Sequence, residues 1–465
     1  MKKAKMGNNM KIAIIGGGVS GYSAAIRASQ LGAEVTLVEK DSIGGTCLNR
    51  GCVPTKTLLH AGEVIDLIKH SSTFGINCDG YAIDFAAIMS RKDAVVNKLR
   101  FGVETLLKKS KVRVIKGTAT LIDASTIEIV ENGEKIYPEK IIIATGSKPA
   151  RIDIEGVELP NTIDSDQVLE LKEIPESIVI IGGGVIGVEF AQIFNRLGAK
   201  VSIIEALKQL VPSTDIEVAI TLEKCLIEEG IKVFKEAKVE KISQNKKQAV
   251  VNFTQKGQKY NISADNVIMA VGRRADLSSF NVDKLGLQHK NGALVTNEFM
   301  QTELKHIYAA GDVTGGIMLA HVAIAESDCA VKHALGREIC MNYKVIPNCI
   351  YTTPEVAWIG LNEEVARENY DIVVGRFPFY ASGKATITNQ TKGFVKIISE
   401  KKFGEILGVQ IIGPRATDMI SEASLGISLE MTVEELATTV HPHPTLSEAI
   451  MESAMMIRGG AIHMQ

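Results

Sequence analysis

Apolar runs, glycine clusters and helix-like stretches follow one another in an order that occurs twice along the chain. An apolar run at residues 11–15 ends in glycines, an alanine-rich run continues to Leu31, and a second apolar run ends at Glu39. The same order returns over residues 177–205. Short apolar runs bounded by glycine favour buried strands, and the amphipathic stretch between them favours a helix. The pattern therefore predicts two βαβ units and an α/β fold.

Both units carry the dinucleotide-binding fingerprint G-x-G-x-x-G. Its glycines are Gly16, Gly18 and Gly21 in the first copy and Gly182, Gly184 and Gly187 in the second. They permit the tight turn, the close approach of a pyrophosphate and the packing of helix on strand, and an acid further on meets a ribose. The acids are Glu39 and Glu205, each 23 residues after the first glycine of its copy. A glycine motif alone is weak evidence for dinucleotide binding, but with a strand before it, a helix after it and an acid further on it is strong evidence.

Each copy later has a polar hairpin turn and an apolar strand that ends in small residues. The turns are Asn132-Gly133 and Lys256-Gly257, and the strands end at Gly146 and Gly272. Such matched order predicts an internal duplication, with two Rossmann-like domains in one chain. A further strand ends at Gly311-Asp312. We therefore expect the second domain to be nested in the first.

The character of the sequence changes near residue 345. Strand-like runs come first, and two helical runs follow at about 416–430 and 445–457. They predict a C-terminal α+β interface domain, whose Met- and Ala-rich last helix suits either subunit packing or plain core. The predicted domains are 1–150 for the first nucleotide site, 151–272 for the second, 273–344 for the segment completing the first, and 345–465 for the interface.

Composition and charge narrow the class of protein. The chain has 465 residues, a net charge of −2 and 45% hydrophobic residues, an ordinary globular balance without bias towards nucleic acid or disorder. The length exceeds a single core, and no apolar run is long enough to cross a bilayer. Seven cysteines without a regular framework argue against a secreted disulfide scaffold. We expect a cytoplasmic protein.

Two cysteines, Cys47 and Cys52, lie five residues apart just before a helix-like run. Pro54 suits a first helical turn, where its missing N–H would be unpaired anyway. A cysteine at a helix N-terminus feels the positive end of the helix dipole, which favours the thiolate. The segment therefore indicates a disulfide that opens and closes, with an inert bridge or two buried thiols as the alternative.

These features together resemble the flavin-dependent pyridine nucleotide–disulfide oxidoreductases over nearly the whole chain, and within them the dihydrolipoamide dehydrogenases, the E3 components of 2-oxo acid dehydrogenase complexes. The resemblance implies FAD in the first site and NAD in the second. It places Cys52 against the flavin and Cys47 outward, where it attacks substrate. The implied FAD-binding residues are Gly16, Gly18, Gly21, Glu39, Gly45, Thr46, Lys56, Gly117, Thr145, Gly146, Asp312, Met318, Leu319, Ala320 and His321. The implied NAD-binding residues are Gly182, Gly184, Gly187, Glu189, Glu205, Val239 and Gly272.

The resemblance also pairs Lys56 with Glu189 near the flavin, although a surface lysine and a first-turn glutamate would look the same. Dithiol oxidation needs a base, because thiolates and not thiols attack disulfides. The family pattern assigns the base to His443, with Glu448 orienting its imidazole.

Each histidine assignment has a competing interpretation. Glu448 also completes a capping box with Thr445, in which it would bond its own helix start. His441 and His443 together suggest a metal site, but no further Cys/His cluster accompanies them and we expect none. His321, in the segment expected under the flavin ring, is also compatible with an ordinary buried histidine.

Charge favours NAD over NADP, since Glu205 accepts hydrogen bonds from a ribose and repels a 2′-phosphate. The resemblance implies a homodimer that takes electrons from the lipoyl group of an E2 or H-protein, with no nucleic acid or membrane partner. A reductase of another small disulfide and a docking subunit of a multienzyme core are the alternatives. The last cysteine is Cys349, so the additional C-terminal pair of mercuric reductases is missing. Arg50 inside the cysteine motif departs from the commonest pattern and is a candidate for adjusting substrate charge preference.

Overall fold

A five-stranded parallel sheet organises the first nucleotide-binding domain. The computed structural model describes residues 9–279 and 282–464. The elements up to the first domain crossing are β1 (Lys11–Ile15), α1 (Val19–Gln30), β2 (Glu34–Glu39), α2 (Gly45–Arg50), α3 (Cys52–Lys69), α4 (Phe85–Lys109), β3 (Arg113–Lys116), β4 (Ala119–Leu121), β5 (Ile127–Ile129), β6 (Lys135–Ile136), β7 (Lys140–Ile143) and β8 (Ser147–Pro149). The consecutive β1 residues Ile12, Ala13 and Ile14 are at most 1% exposed, as a strand covered on both faces requires.

The second domain repeats this plan. Its elements are β9 (Thr162–Asp164), β10 (Ser177–Ile181), α5 (Val185–Arg196), β11 (Lys200–Ile204), α6 (Ile216–Glu228), β12 (Lys232–Phe234), β13 (Ala237–Asn245), β14 (Gln248–Gln255), β15 (Gln258–Ala264), β16 (Asn266–Met269) and β17 (Arg273–Ala275). The strand order β12-β11-β10-β16-β9 forms a parallel sheet, and β13-β14-β15 is a separate antiparallel meander. The predicted turn at Lys256-Gly257 joins β14 to β15.

The chain then returns to the first sheet. The returning elements are α7 (Val282–Leu285), β18 (His289–Lys290), β19 (Ala293–Leu294), β20 (Ile307–Ala309) and α8 (Ala320–Ala334). Strand β20 pairs in parallel with β7, which gives the sheet the order β20-β7-β1-β2-β3. The second domain is therefore inserted between β7 and β20, as predicted.

The C-terminal domain is an antiparallel sheet covered by helices. Its elements are β21 (Asn348–Ile350), β22 (Glu355–Gly360), α9 (Glu363–Asn369), β23 (Ile372–Pro378), α10 (Gly383–Ile387), β24 (Phe394–Glu400), β25 (Ile406–Gly413), α11 (Ala416–Ser428), α12 (Val433–Thr438) and α13 (Glu448–Arg458). The strand order is β21-β22-β25-β24-β23. The predicted fold class is confirmed, whereas the domain boundaries given above remain predictions and residues 1–8 lie outside the described part.

A buried ion cluster joins the second domain to the C-terminal one. Lys396 of β24 is 1% exposed, and its ammonium lies 3.1 Å from Asp215, 3.0 Å from Glu217 and 2.5 Å from Glu363. Asp215 caps α6 as well. A buried charge is tolerated when it is paired and hydrogen-bonded, so this lysine fixes α6 against β24.

Among the described residues, no helix is both long and apolar enough to span a bilayer.

Candidate active site

Two nucleotide cradles form at equivalent places in the two parallel sheets. The N–H of Gly17 donates to the Glu39 carboxylate at 2.5 Å, and the N–H of Gly183 donates to Glu205 at 2.6 Å. In both copies the other carboxylate oxygen accepts the N–H two residues along the chain, at 2.7 Å. Burial raises the pKa of Glu39, while the Gly17 N–H and nearby cations oppose that rise. Each acid is therefore held beside its glycine turn.

Both glycine turns pack closely against the start of the helix that follows. A Cβ on Gly21 would lie 1.7 Å from the Gly16 oxygen, and one on Gly187 would lie 1.9 Å from the Gly182 oxygen. Helices α1 and α5 start after Gly18 and Gly184, with no side-chain hydrogen bond at either cap. Helix N–H groups without a side-chain partner attract phosphate. The residues present therefore fit a dinucleotide in each domain.

Two of the other predicted FAD residues, Gly45 and Gly117, contact the first cradle directly. Gly45 lies so close to Gly18 that a Cβ there would meet its Cα at 2.6 Å. Gly117 donates its N–H to the Glu39 carbonyl at 2.9 Å, and Thr145 donates its hydroxyl to the Asp276 carbonyl at 2.7 Å. Gly146 has a positive φ of +72°, and its counterpart in the second copy, the predicted NAD residue Gly272, has one of +98°. Met318 and Leu319 lead into α8, which begins at Ala320.

The predicted NAD contact Val239 lies in the hydrophobic core rather than in a glycine turn. Val239 is 8% exposed, and its side chain belongs to the core between the second sheet and the meander. A register shift in β13 begins at this residue. A contact with a nucleotide at this position would therefore come from the backbone rather than from the side chain.

The two cysteines meet at the junction of two helices. Cys47 lies on α2, Cys52 is the first residue of α3, and both are thiols in this structure. Cys47 donates a hydrogen bond to Cys52, and this bond is the main reason that the pKa of Cys52 falls to about 7. Burial opposes the fall, and the Lys56 ammonium adds to it. The same hydrogen bond, together with burial, raises the pKa of Cys47. Both directions favour Cys52 over Cys47 as the thiolate of the pair.

Lys56 and Glu189 form the predicted pair. The Lys56 ammonium lies 2.8 and 3.0 Å from the two carboxylate oxygens of Glu189, whose side chain is 4% exposed. Tyr351 adds two contacts, since its N–H donates to Glu189 at 3.0 Å and its ring lies 4.6 Å from the ammonium. The pair holds a cation one helical turn after Cys52, where it favours the thiolate.

His443 and Glu448 lie at the start of the last helix. The His443 Nδ1 is 2.8 Å from one oxygen of Glu448, and the Thr445 N–H donates to the other oxygen at 2.7 Å. Glu448 therefore makes both the contact expected of an orienting carboxylate and half of the capping box. Burial raises the pKa of Glu448, but the Thr445 N–H and the His443 ring outweigh it and lower that pKa overall. The His443 side chain is 73% exposed, so its Nε2 faces solvent or a partner.

The other two histidines of the sequence argument have structural partners. His441 is 4% exposed at its side chain and bonds Glu422 at 2.7 Å and the Thr439 carbonyl at 2.8 Å. His321 bonds the Pro347 carbonyl at 2.8 Å. Within the described ranges, no group of three or more metal-ligating side chains comes together.

Sequence reasoning missed a bridge at the junction of the two nucleotide domains. Arg273 donates to the Ser147 hydroxyl at 2.8 Å and to the Thr46 hydroxyl at 3.3 Å, and Ser147 donates to Asp312 at 2.5 Å. These partners are 126 and 227 residues away from the arginine in sequence. In the sequence, Arg273 is visible only as an arginine directly after Gly272. The local pattern of residues gives no indication that it contacts Thr46.

Arg50 also has a partner that sequence reasoning did not supply. Its guanidinium forms an ion pair with Asp41, which lies in the loop after β2. Part of its charge is therefore offset within the chain.

Comparison with known proteins gives one consistent result. Residues 10–327 match the family described as pyridine nucleotide-disulphide oxidoreductase, and residues 346–454 match its dimerisation domain. The chain is 42% identical to a dihydrolipoyl dehydrogenase of Bacillus subtilis (strain 168), covering 98% of this chain and all of the relative. It is 39% identical to the dihydrolipoyl dehydrogenase of Geobacillus stearothermophilus, covering 97% and 96% of the two chains.

Solved structures agree with the sequence matches. The HOCl-induced flavoprotein disulfide reductase RclA from Escherichia coli is 30% identical, with a TM-score of 0.86 over 97% of this chain and 99% of that one. LpdA from Mycobacterium tuberculosis is 25% identical, with a TM-score of 0.89 over 96% and 99%. The similarity thus extends over both nucleotide domains and the C-terminal domain.

Proposed function

We propose that this chain, which belongs to the pyridine nucleotide–disulphide oxidoreductase family, catalyses the reaction of a dihydrolipoyl dehydrogenase. It is a flavoprotein disulfide oxidoreductase that uses FAD and NAD. Dihydrolipoamide is oxidised to lipoamide, and NAD⁺ is the final acceptor. The observation that carries the mechanism is the placement of Cys47 on α2 and Cys52 at the start of α3, the helix whose Lys56 pairs with Glu189.

The dithiol step starts with proton removal at His443. Its Nδ1 is engaged by Glu448, so Nε2 takes the proton from a substrate thiol, and Glu448 stabilises the resulting imidazolium. The substrate thiolate attacks Cys47 Sγ, which breaks the Cys47–Cys52 bond and releases Cys52 as thiolate. The second substrate thiol then gives up its proton as its sulfur displaces Cys47, and Cys47 takes up that proton and leaves as the thiol. Dihydrolipoamide has thereby become lipoamide by losing two electrons, which the cysteine pair has gained, and two protons, of which one is on His443 and one on Cys47.

The leaving group decides how easily this bond opens. A thiol with a low pKa leaves faster in thiol–disulfide exchange, and the structure lowers the pKa of Cys52 while raising that of Cys47. Attack at Cys47 therefore expels the better leaving group. Bound FAD supplies the two-electron transfer from the reduced pair to NAD⁺.

We propose that the two catalytic centres of the homodimer are each built from both chains. Within one chain, α13 packs against α12, β23 and β24 in the dimerisation domain, while the two cysteines belong to the first domain. Three side chains near this end of the domain are unusually exposed for apolar residues, namely Leu425 at 62%, Leu429 at 65% and Val440 at 93%. A two-fold interface over this region would bring His443 of one chain to Cys47 of the other.

The partner is proposed to be the lipoyl-bearing domain of an E2 or H-protein, and the location to be the cytoplasm. Relatives named dihydrolipoyl dehydrogenase support the choice of partner. The cysteines of this chain are free thiols, and structural disulfides are rare in reducing compartments such as the cytoplasm.

The purified holoenzyme tests this function against the reduction of other small disulfides. NADH formation from dihydrolipoamide and NAD⁺ is measured beside NADPH and NADH consumption with glutathione disulfide. We expect kcat/KM to be highest by orders of magnitude for dihydrolipoamide with NAD⁺. A higher value for glutathione disulfide, or a preference for NADPH, would contradict the proposal.

A further inference from the structure

The end of the described chain folds back onto the helix that carries Glu448. Gly459 and Gly460 follow α13 with φ of +129° and +142°, a region that favours glycine. Beyond this reversal, Ala461 and Met464 pack against the core of the C-terminal domain. The reversal places His463 alongside α13.

A buried carboxylate on α13 holds this returning segment. Glu452 is 2% exposed. One of its oxygens accepts the Ile462 N–H at 2.8 Å, and the other lies 2.6 Å from Nδ1 of His463. Burying a carboxylate is costly unless donors replace its lost water, and the returning segment supplies these donors.

The arrangement repeats the catalytic pair one helical turn later. Glu448 and Glu452 are four residues apart, so they share one face of α13 at about 6 Å along the axis. In both pairs one carboxylate oxygen meets a histidine Nδ1 and the other accepts a backbone N–H. His463 also reaches Glu448 electrostatically, since its charge helps the Thr445 N–H and the His443 ring to lower the pKa of Glu448 against burial.

We propose that His463 is a positioning residue for His443, acting through Glu452 and α13. The inference rests on the proposed function, because it needs His443 as the base. The His443 side chain is 73% exposed, so packing within the chain does not fix its ring. Its direction depends on Glu448 and therefore on how α13 is held. The Glu452–His463 bond anchors that helix one turn after Glu448.

The test compares His463→Ala with His463→Asn in the full-length holoenzyme. Asparagine keeps an N–H donor near the position of Nδ1, whereas alanine leaves Glu452 short of a donor. Two rates are measured for each variant: dihydrolipoamide oxidation by NAD⁺, and NADH oxidation by ferricyanide, which bypasses the disulfide. His289→Ala is the matched control. His289 also bonds a carboxylate, that of Asp283 at 3.0 Å, but it lies in the first domain, far along the chain from α13.

His463→Ala is expected to lower kcat/KM for dihydrolipoamide about three- to tenfold, the factor that one net hydrogen bond supports. The ferricyanide rate should stay unchanged, His463→Asn should recover to within about twofold, and His289→Ala should match wild type in both assays. Wild-type-like oxidation by His463→Ala, equal loss in both assays, or an asparagine variant as slow as alanine would overturn the positioning role. Wild-type oxidation of dihydrolipoamide in the same series tests the proposed function separately.

Discussion

The hydrogen bond from Cys47 to Cys52 predicts how substitutions of Cys47 change the pKa of Cys52. Replacing Cys47 by serine keeps a hydroxyl donor beside Cys52, whereas replacing it by alanine removes the donor. Because this hydrogen bond is the largest influence that lowers the pKa of Cys52, the two variants should differ in thiolate content. Lys56 remains in both and lowers that pKa further.

The size of the difference follows from the two pKa values. With a pKa of about 7, about 75% of Cys52 is thiolate at pH 7.5, whereas a thiol with an ordinary pKa of about 8.5 is only about 10% thiolate there. Cys47→Ser should therefore keep most of its Cys52 as thiolate at pH 7.5. Cys47→Ala should need a clearly higher pH to reach the same fraction.

Two readouts follow the thiolate in the oxidised holoenzyme. Long-wavelength absorbance from a thiolate beside the flavin should be present in Cys47→Ser without any reductant, and should be missing in Cys52→Ser. The rate of alkylation of Cys52 against pH should give a lower midpoint in Cys47→Ser than in Cys47→Ala. Equal midpoints in the two variants would refute the role of the hydrogen bond, and a band in Cys52→Ser would reverse the assigned roles.

Three further substitutions test other parts of the molecule. His443→Gln should slow dihydrolipoamide oxidation about 10²–10⁴-fold, as loss of a general base does, while sparing NADH oxidation by an artificial acceptor; equal loss of both would indicate a folding defect. Glu205→Arg should move the kcat/KM ratio from NAD⁺ towards NADP⁺ by removing a repulsion and adding a phosphate partner, and an unchanged ratio would mean that Glu205 does not face the ribose. Lys396→Met should lower the free energy of unfolding in urea by about 3–5 kcal/mol, because Asp215 stays buried without its cation. The exposed ion pair between Lys392 and Glu228, at 2.6 Å, is the control; Lys392→Met should lower the free energy of unfolding far less, because exposed ion pairs contribute little, and equal losses would contradict the ion-cluster argument.

Local pattern was sufficient wherever the chain carries its own signal. The apolar run at 11–15 is β1 from Lys11 to Ile15, because a buried strand between glycines leaves few alternatives. The turn at Lys256-Gly257 has φ of +49° and +78°, the left-handed pair that a two-residue hairpin needs. The carboxylates Glu39 and Glu205 were found from their spacing to the glycines.

Other features depended on contacts that sequence order does not reveal. The metal hypothesis for His441 and His443 arose from their spacing, yet His441 is buried on Glu422 and His443 is exposed on Glu448. Helix α3 begins at Cys52, so that Cys52 itself occupies the helix start and Pro54 lies in the first turn.

Helix α12 was not predicted, although the sequence contains a usable signal for it. The helix is six residues long, too short for a clear apolar period, but Thr432 and Glu435 form a complete capping box at its start. A search for that motif would have found it.

A mixed dimer tests most directly whether Cys47 of one chain works with His443 of the other. Cys47→Ser and His443→Ala chains are co-expressed with different tags, and the hybrid is isolated. Sharing puts both lesions in one centre and leaves the other intact, so the hybrid should have about half of wild-type dihydrolipoamide oxidation, although each parent dimer is nearly inactive. A hybrid with full flavin content and no more activity than its parents would contradict the shared centre.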